Sequence, residues 1–102
     1  MRELVRFDDD GPTRSTLLET ERLFSQVICL DRAQRLGPIS DANSDAVLLV
    51  LAGRVATQID KGRARMGQLE SALVPAGSQL SLANASDEPA VILVVTAPPP
   101  AV

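Results

Sequence analysis

Short apolar runs separated by turn signals mark most of the chain. Residues 23–30 are apolar and rich in strand formers, and Val47, Leu48, Leu49, Val50 and Leu51 make a second run. Val55, Thr57 and Ile59 alternate with Ala56 and Gln58, the period-two pattern of a strand with one buried face. Asp60, Lys61, Gly62 and Arg63 then predict a hairpin turn, because glycine reaches positive φ without a Cβ clash. Residues 69–74 predict a strand that runs into a Pro75-Ala76-Gly77 turn. Leu80 and Leu82 alternate with Ser81 and Ala83, residues 84–89 predict another turn, and residues 91–95 form a run rich in β-branched side chains, which fit a pleated surface. Only residues 16–24 admit a helix, through the capping-box spacing of Thr16 and Glu19; a first strand is the preferred reading. Gly37-Pro38 predicts a turn. Short strands punctuated in this way predict an all-β sandwich or barrel.

Composition narrows the chemistry. The 102 residues suit one domain. Residues 1–22 are expected as an N-terminal strand or arm, residues 23–96 as a barrel and residues 97–102 as a proline-rich tail that cannot join a central ladder. Phe7 and Phe24 are the only aromatics, so the core must be aliphatic and stacking platforms for bases are missing. A net charge of −3 and scattered arginines argue against nucleic acid or an anionic membrane as partner. Asp8, Asp9 and Asp10 beside Gly11-Pro12 read as a solvated turn. No apolar run approaches the ~20 residues of a membrane span, and the N-terminus does not read as a signal peptide, so the expected setting is cytoplasmic. Cys29 is the sole cysteine and is expected to pack as a small buried hydrophobe.

The chain has no histidine. Histidine is the commonest metal ligand and the usual general base near neutral pH. Histidine triads, histidine zinc sites and the two-histidine-one-carboxylate iron site are therefore excluded. No glycine-rich phosphate loop is present either.

Residues 30–98 resemble a cupin. The run from Val47 to Val55, with Gly53 inside it, is similar to the strand and glycine that close the first cupin motif. Pro75-Ala76-Gly77 resembles the turn of the second motif, and Asn84 follows Gly77 by the seven residues at which that motif places an asparagine. The resemblance implies a cupin-like β-barrel, a double-stranded β-helix or jelly roll. It also implies that the two histidines of the first motif fall on Ile39 and Asp41, its glutamate on Ala46, its leading glycine on Ala33, the second motif's opening glycine on Leu69, and that motif's histidine on Leu80. A gap one residue shorter would move the two histidine positions to Ser40 and Ala42. Three of the four ligand positions are thus aliphatic, and only Asp41 could donate. No metal and no cofactor are expected, because transition metals need three or four donors at set geometry.

Alternation extends the interior set. If Ala46 faces inward, so do Leu48 and Val50; if Leu80 does, so does Leu82. Ile39, Asp41, Ala46, Leu48, Val50, Leu80 and Leu82 are the candidate pocket residues. Three functions compete: a non-enzymatic module binding a small apolar or amphipathic molecule, a metal-independent isomerase or lyase using Asp41 or Glu70, and a structural domain whose barrel is only core. The shortage of nucleophiles and bases weighs against the enzyme. Glu70 with Arg63 or Arg65 is expected to form a surface ion pair rather than a ligand site, and Asn84 to bond its own turn. Apolar outer faces and open sheet edges predict a homodimer.

Overall fold

The computed structural model describes Val5 and residues 7–98. Among these, the polypeptide forms β1 (Thr13–Glu19), β2 (Phe24–Leu30), β3 (Arg35–Ile39), β4 (Asp45–Ala52), β5 (Val55–Ile59), β6 (Gly62–Met66), β7 (Ser71–Val74), β8 (Leu80–Asn84) and β9 (Ala90–Ala97). All pairings are antiparallel, in a five-stranded sheet ordered β1-β2-β9-β4-β7 and a four-stranded sheet ordered β3-β8-β5-β6. The two sheets face each other as an all-β jelly roll. No helix among the described residues is long and apolar enough to cross a membrane.

The core follows from strand parity. Ile28 and Leu30, Leu48 and Val50, Val55, Leu80 and Leu82, and Ile92 and Val94 all point between the sheets and pack as one buried cluster. A second cluster, Val27, Cys29 and Val91 with Leu51, Ala52 and Leu93 against it, lies on the outer face of the five-stranded sheet. The segments 27–30 of β2, 46–52 of β4 and 90–95 of β9 therefore read as continuous apolar runs, because both of their faces are apolar there. Cys29 is buried with these hydrophobes.

The first strand is β1, and it ends at a turn closed by Thr20, whose Oγ1 accepts the N–H groups of Leu23 at 3.0 Å and Arg22 at 3.2 Å. Thr16 and Glu19, the spacing that admitted a helix, lie within this strand. Strand β1 pairs along β2, so it is an edge of the sheet. Gly37-Pro38 is not a turn but sits inside β3, where the register with β8 shifts between Leu36 and Ile39. Proline is tolerated there because β3 is an edge strand. Of the proline-rich tail, only Ala97, the last residue of β9, and Pro98 fall within the described residues.

Two turns fasten the opposite ends of β8. Asp60 lies between β5 and β6, at φ 53°. Its backbone N–H donates to Gln79 O at 2.9 Å, while its Oδ1 accepts Gln79 N–H, also at 2.9 Å. The Gln79 N–H first, and then the Ser78 side chain, hold the Asp60 carboxyl below its ordinary range. The loop before β8 is thereby tied to the β5–β6 hairpin. Asn84 does the same at the other end of β8: its Nδ2 donates to Leu30 O at 3.0 Å and Glu88 O at 2.7 Å, and its Oδ1 accepts Ser86 N–H at 2.9 Å. Asn84 therefore fastens its own turn to β2. Gly53, at φ 80°, lies against that turn, and a Cβ there would come within 2.6 Å of Pro89 O.

Candidate functional site

A cavity of about 290 Å³ opens between the sheets. Its apolar side is built from Ile39 and Leu80, which face each other as direct partners across β3 and β8, and from Ala46, Val74 and Val94 on the opposing sheet. Its polar side carries Arg14, Gln26 and Thr96, with Ser40, Asp41, Ser44 and Ser78 around the remaining edge. The register explains the grouping. Gln26 pairs with Val94 and Thr96 with Ala46, so β2, β9 and β4 present these side chains inward in adjacent rows. Arg14 comes from β1, opposite Ile28, and reaches diagonally to Gln26, where its Nε donates to Oε1 at 3.1 Å.

The candidate residues divide in two. Ile39, Asp41, Ala46 and Leu80 line the cavity. Leu48, Val50 and Leu82 also point inward but lie in the packed core, 1–2% exposed, and do not border it. Sequence reasoning missed Val74 and Val94 on the apolar side, Ser44 and Ser78 at the edge, and the polar group of Arg14, Gln26 and Thr96. Gln26 and Thr96 carried a signal, each being a polar residue on the inward parity of an otherwise apolar strand. Arg14 carried none, since its place depends on a long-range pairing.

Asp41 sits at the cavity with one carboxylate oxygen accepting Asn43 N–H at 2.9 Å, and its backbone carbonyl accepts Gly77 N–H at 2.8 Å. Glu70 lies away from the cavity. Its Oε1 accepts Gly67 N–H at 2.7 Å and closes the turn before β7, so the carboxylate serves local backbone rather than an arginine. A larger hollow, about 710 Å³, lies over the four-stranded sheet, with Ala56 and Ala83 on its floor and Arg35, Arg63 and Arg65 at its margins. It is a trough on a single sheet, whereas the smaller cavity is enclosed by residues of both.

The residues do not fit a metal. Ile39, Ala46 and Leu80 offer no donor atom, Asp41 alone has one, and no group of three or more His, Cys, Asp or Glu side chains converges among the described residues. Such a set cannot supply the three or four ligands a transition metal needs.

The family model of the cupin domain matches residues 27–96. The chain is a cupin. A search among curated proteins finds no match. Among solved structures, TT1209 from Thermus thermophilus superposes with a TM-score of 0.91 at 28% identity, covering 97% of this chain and 94% of that one. KdgF from Halomonas sp. superposes at 0.82 with 14% identity over 92% of this chain and 84% of its own. The cupin domain of Cnp3 from Schizosaccharomyces pombe gives 0.81 at 16% identity, over 86% of this chain and 61% of its own. The last two likenesses carry the fold alone. This cupin keeps the framework of the two motifs and, at the four positions where the resemblance places metal ligands, has Ile39, Asp41, Ala46 and Leu80.

Proposed function

We propose that this cupin is a metal-free, non-enzymatic module that binds a small amphipathic molecule in the barrel. The observation that carries the reading is the split cavity, apolar at Ile39, Leu80 and Val94 and polar at Arg14, Gln26 and Thr96. Small-molecule sites combine a largely apolar wall with a few converging polar groups. A barrel that served only as core would have that space filled with side chains. Catalysis by an isomerase or lyase would rest on Asp41 alone, because Glu70 is turned away. At about 30 Å³ per water-sized group, the cavity takes a ligand of roughly ten non-hydrogen atoms. Titrating isotopically labelled protein with small amphipathic compounds of that size should shift the amides of Ile39, Leu80 and Val94 in a saturable way. A series that leaves those amides unmoved would overturn the reading.

We also propose that the protein is a homodimer. Leu73, Val47 and Val95 lie in one row across β7, β4 and β9, with Leu49 and Leu93 in the next, all on the outer face of the five-stranded sheet. Leu73 is 60% exposed and Val47 45%, and no charged side chain interrupts these rows. An apolar patch of this kind, with Asp45 at its margin, is complementary to a second copy of itself, and an isologous pair is the commonest oligomer. Light scattering is expected to give a dimer at tens of micromolar, roughly where standard-size interfaces persist. Val47→Glu should give a folded monomer, because the substituted position is exposed. A monomeric parent protein would refute the dimer.

A further inference from the structure

We infer that the ligand is a small aliphatic carboxylate, its headgroup held by Arg14, Gln26 and Thr96 and its tail lying toward Ile39 and Leu80. This inference rests on the binding reading above and specifies the chemistry of that site. The donor set carries it. Arg14 Nε already donates to Gln26 Oε1. An arginine can only donate, so this bond fixes the Gln26 amide with its oxygen toward Arg14 and leaves the Nε2 hydrogens for another acceptor. The terminal nitrogens of Arg14, the Nε2 of Gln26 and the hydroxyl of Thr96 take no partner among the described residues. Yet Gln26 is 7% exposed and Thr96 6%, and no buried side-chain polar atom in the described structure lacks a partner. The unpartnered atoms of Gln26 and Thr96 must therefore open onto the free space of the cavity that both residues line.

Arg14, Gln26 and Thr96 thus bring unused N–H and O–H donors to one edge of a pocket whose other side is Ile39, Val74, Leu80 and Val94. A carboxylate accepts about four hydrogen bonds through two oxygens and matches the guanidinium fork. Asp41, the cavity's one acidic side chain, is partly engaged by the Asn43 N–H and belongs to the loop after β3, not to the β1, β2 and β9 strands that carry the donors. A neutral alcohol would satisfy fewer of these donors, and an amide would set its own N–H₂ against them.

Calorimetric or NMR titration of the full-length protein with hexanoate, hexanamide and hexanol tests the inference, with Arg14→Gln and Thr96→Val as variants. Hexanoate should bind at least about tenfold more tightly than either neutral analogue, since hydrogen bonds to charged groups are the stronger kind. Arg14→Gln should remove most of that preference while leaving hexanol binding in place, which also shows that the variant is folded. Thr96→Val should weaken hexanoate by a smaller factor. If all three compounds bind equally and Arg14→Gln changes nothing, the carboxylate inference is overturned and the binding reading stands. If none binds to the parent protein, both fail.

Discussion

Leu80→Ala is expected to destabilise the protein by about 2–3 kcal/mol, the lower end of the range for leucine truncation in cores. Leu80 is 4% exposed and packs within the main cluster, so the loss of its methyl groups removes real contacts. It also borders the 290 Å³ cavity, so part of its surface has no protein atoms against it and part of the space it vacates joins a hollow already there. Leu48 provides the internal control. It has the same side chain, is 1% exposed, and is packed in the core without touching the cavity. Leu48→Ala should therefore cost more, about 4 kcal/mol, because the packing term grows with the new void. Urea unfolding of the two variants gives the comparison directly. Equal losses, or a larger loss at Leu80, would mean that Leu80 is sealed core and does not face an open pocket. The cavity ligand should also bind more weakly to Leu80→Ala, whose apolar wall has receded.

What could be read from the chain, and what could not, divides by the range of the interactions involved. Strands β5 and β8 were legible from alternation and β4 and β9 from continuous apolar runs, both local signals, and the turns between them carry glycine, proline, asparagine or aspartate. Parity carried Leu48, Val50 and Leu82 inward once the family resemblance had set Ala46 and Leu80 there. It could not say which of them border free space, since that depends on how the two sheets diverge. Strand β3 was hidden by Gly37-Pro38, whose composition signals a turn but which an edge strand accommodates as a register shift. Arg14 and its bond to Gln26 were out of reach, because they exist only through the β1–β2 pairing.

The backbone adds a test of register that the sequence could not. The family resemblance puts glycines at Ala33 and Leu69, and both residues adopt positive φ, 63° and 67°. Left-handed backbone costs a residue with a Cβ about 1–2 kcal/mol. At Leu69 the conformation is held from both sides, with its N–H donating to Val50 O at 2.7 Å and Val50 N–H donating to Glu70 O at 3.0 Å. Both positions at which the resemblance puts glycine thus hold a backbone conformation that favours glycine. The same numbering assigns the ligand positions to Ile39, Asp41, Ala46 and Leu80, and all four line one cavity.

That juxtaposition yields the strongest expected change of activity. A variant carrying Ile39→His, Asp41→His, Ala46→Glu and Leu80→His should bind zinc or nickel tightly enough to measure by calorimetry, while the parent protein retains no stoichiometric metal. Positions 39 and 80 are direct cross-strand partners, so their Cβ atoms should lie about 4.5–5.5 Å apart. Position 46 borders the same 290 Å³ from the facing sheet, and position 41 from its edge. A tetrahedral or octahedral ion with bonds of about 2.0–2.2 Å can draw such a set together. Without metal the variant should be less stable than the parent, because Leu80 and Ile39 are lost and polar groups enter an apolar wall. Binding to the folded state alone should then restore about 2.7 kcal/mol at a metal concentration one hundred times Kd, which appears as a rise in Tm. The affinity should fall below roughly pH 6.5, as the introduced imidazoles protonate and cease to ligate. A variant that folds, shows the native strand content and binds no divalent metal at neutral pH would refute the assignment of these positions. Loss of folding is covered by the double variant Ala46→Glu, Leu80→His, which keeps Ile39 and the native Asp41 carboxylate and should bind the same ions more weakly.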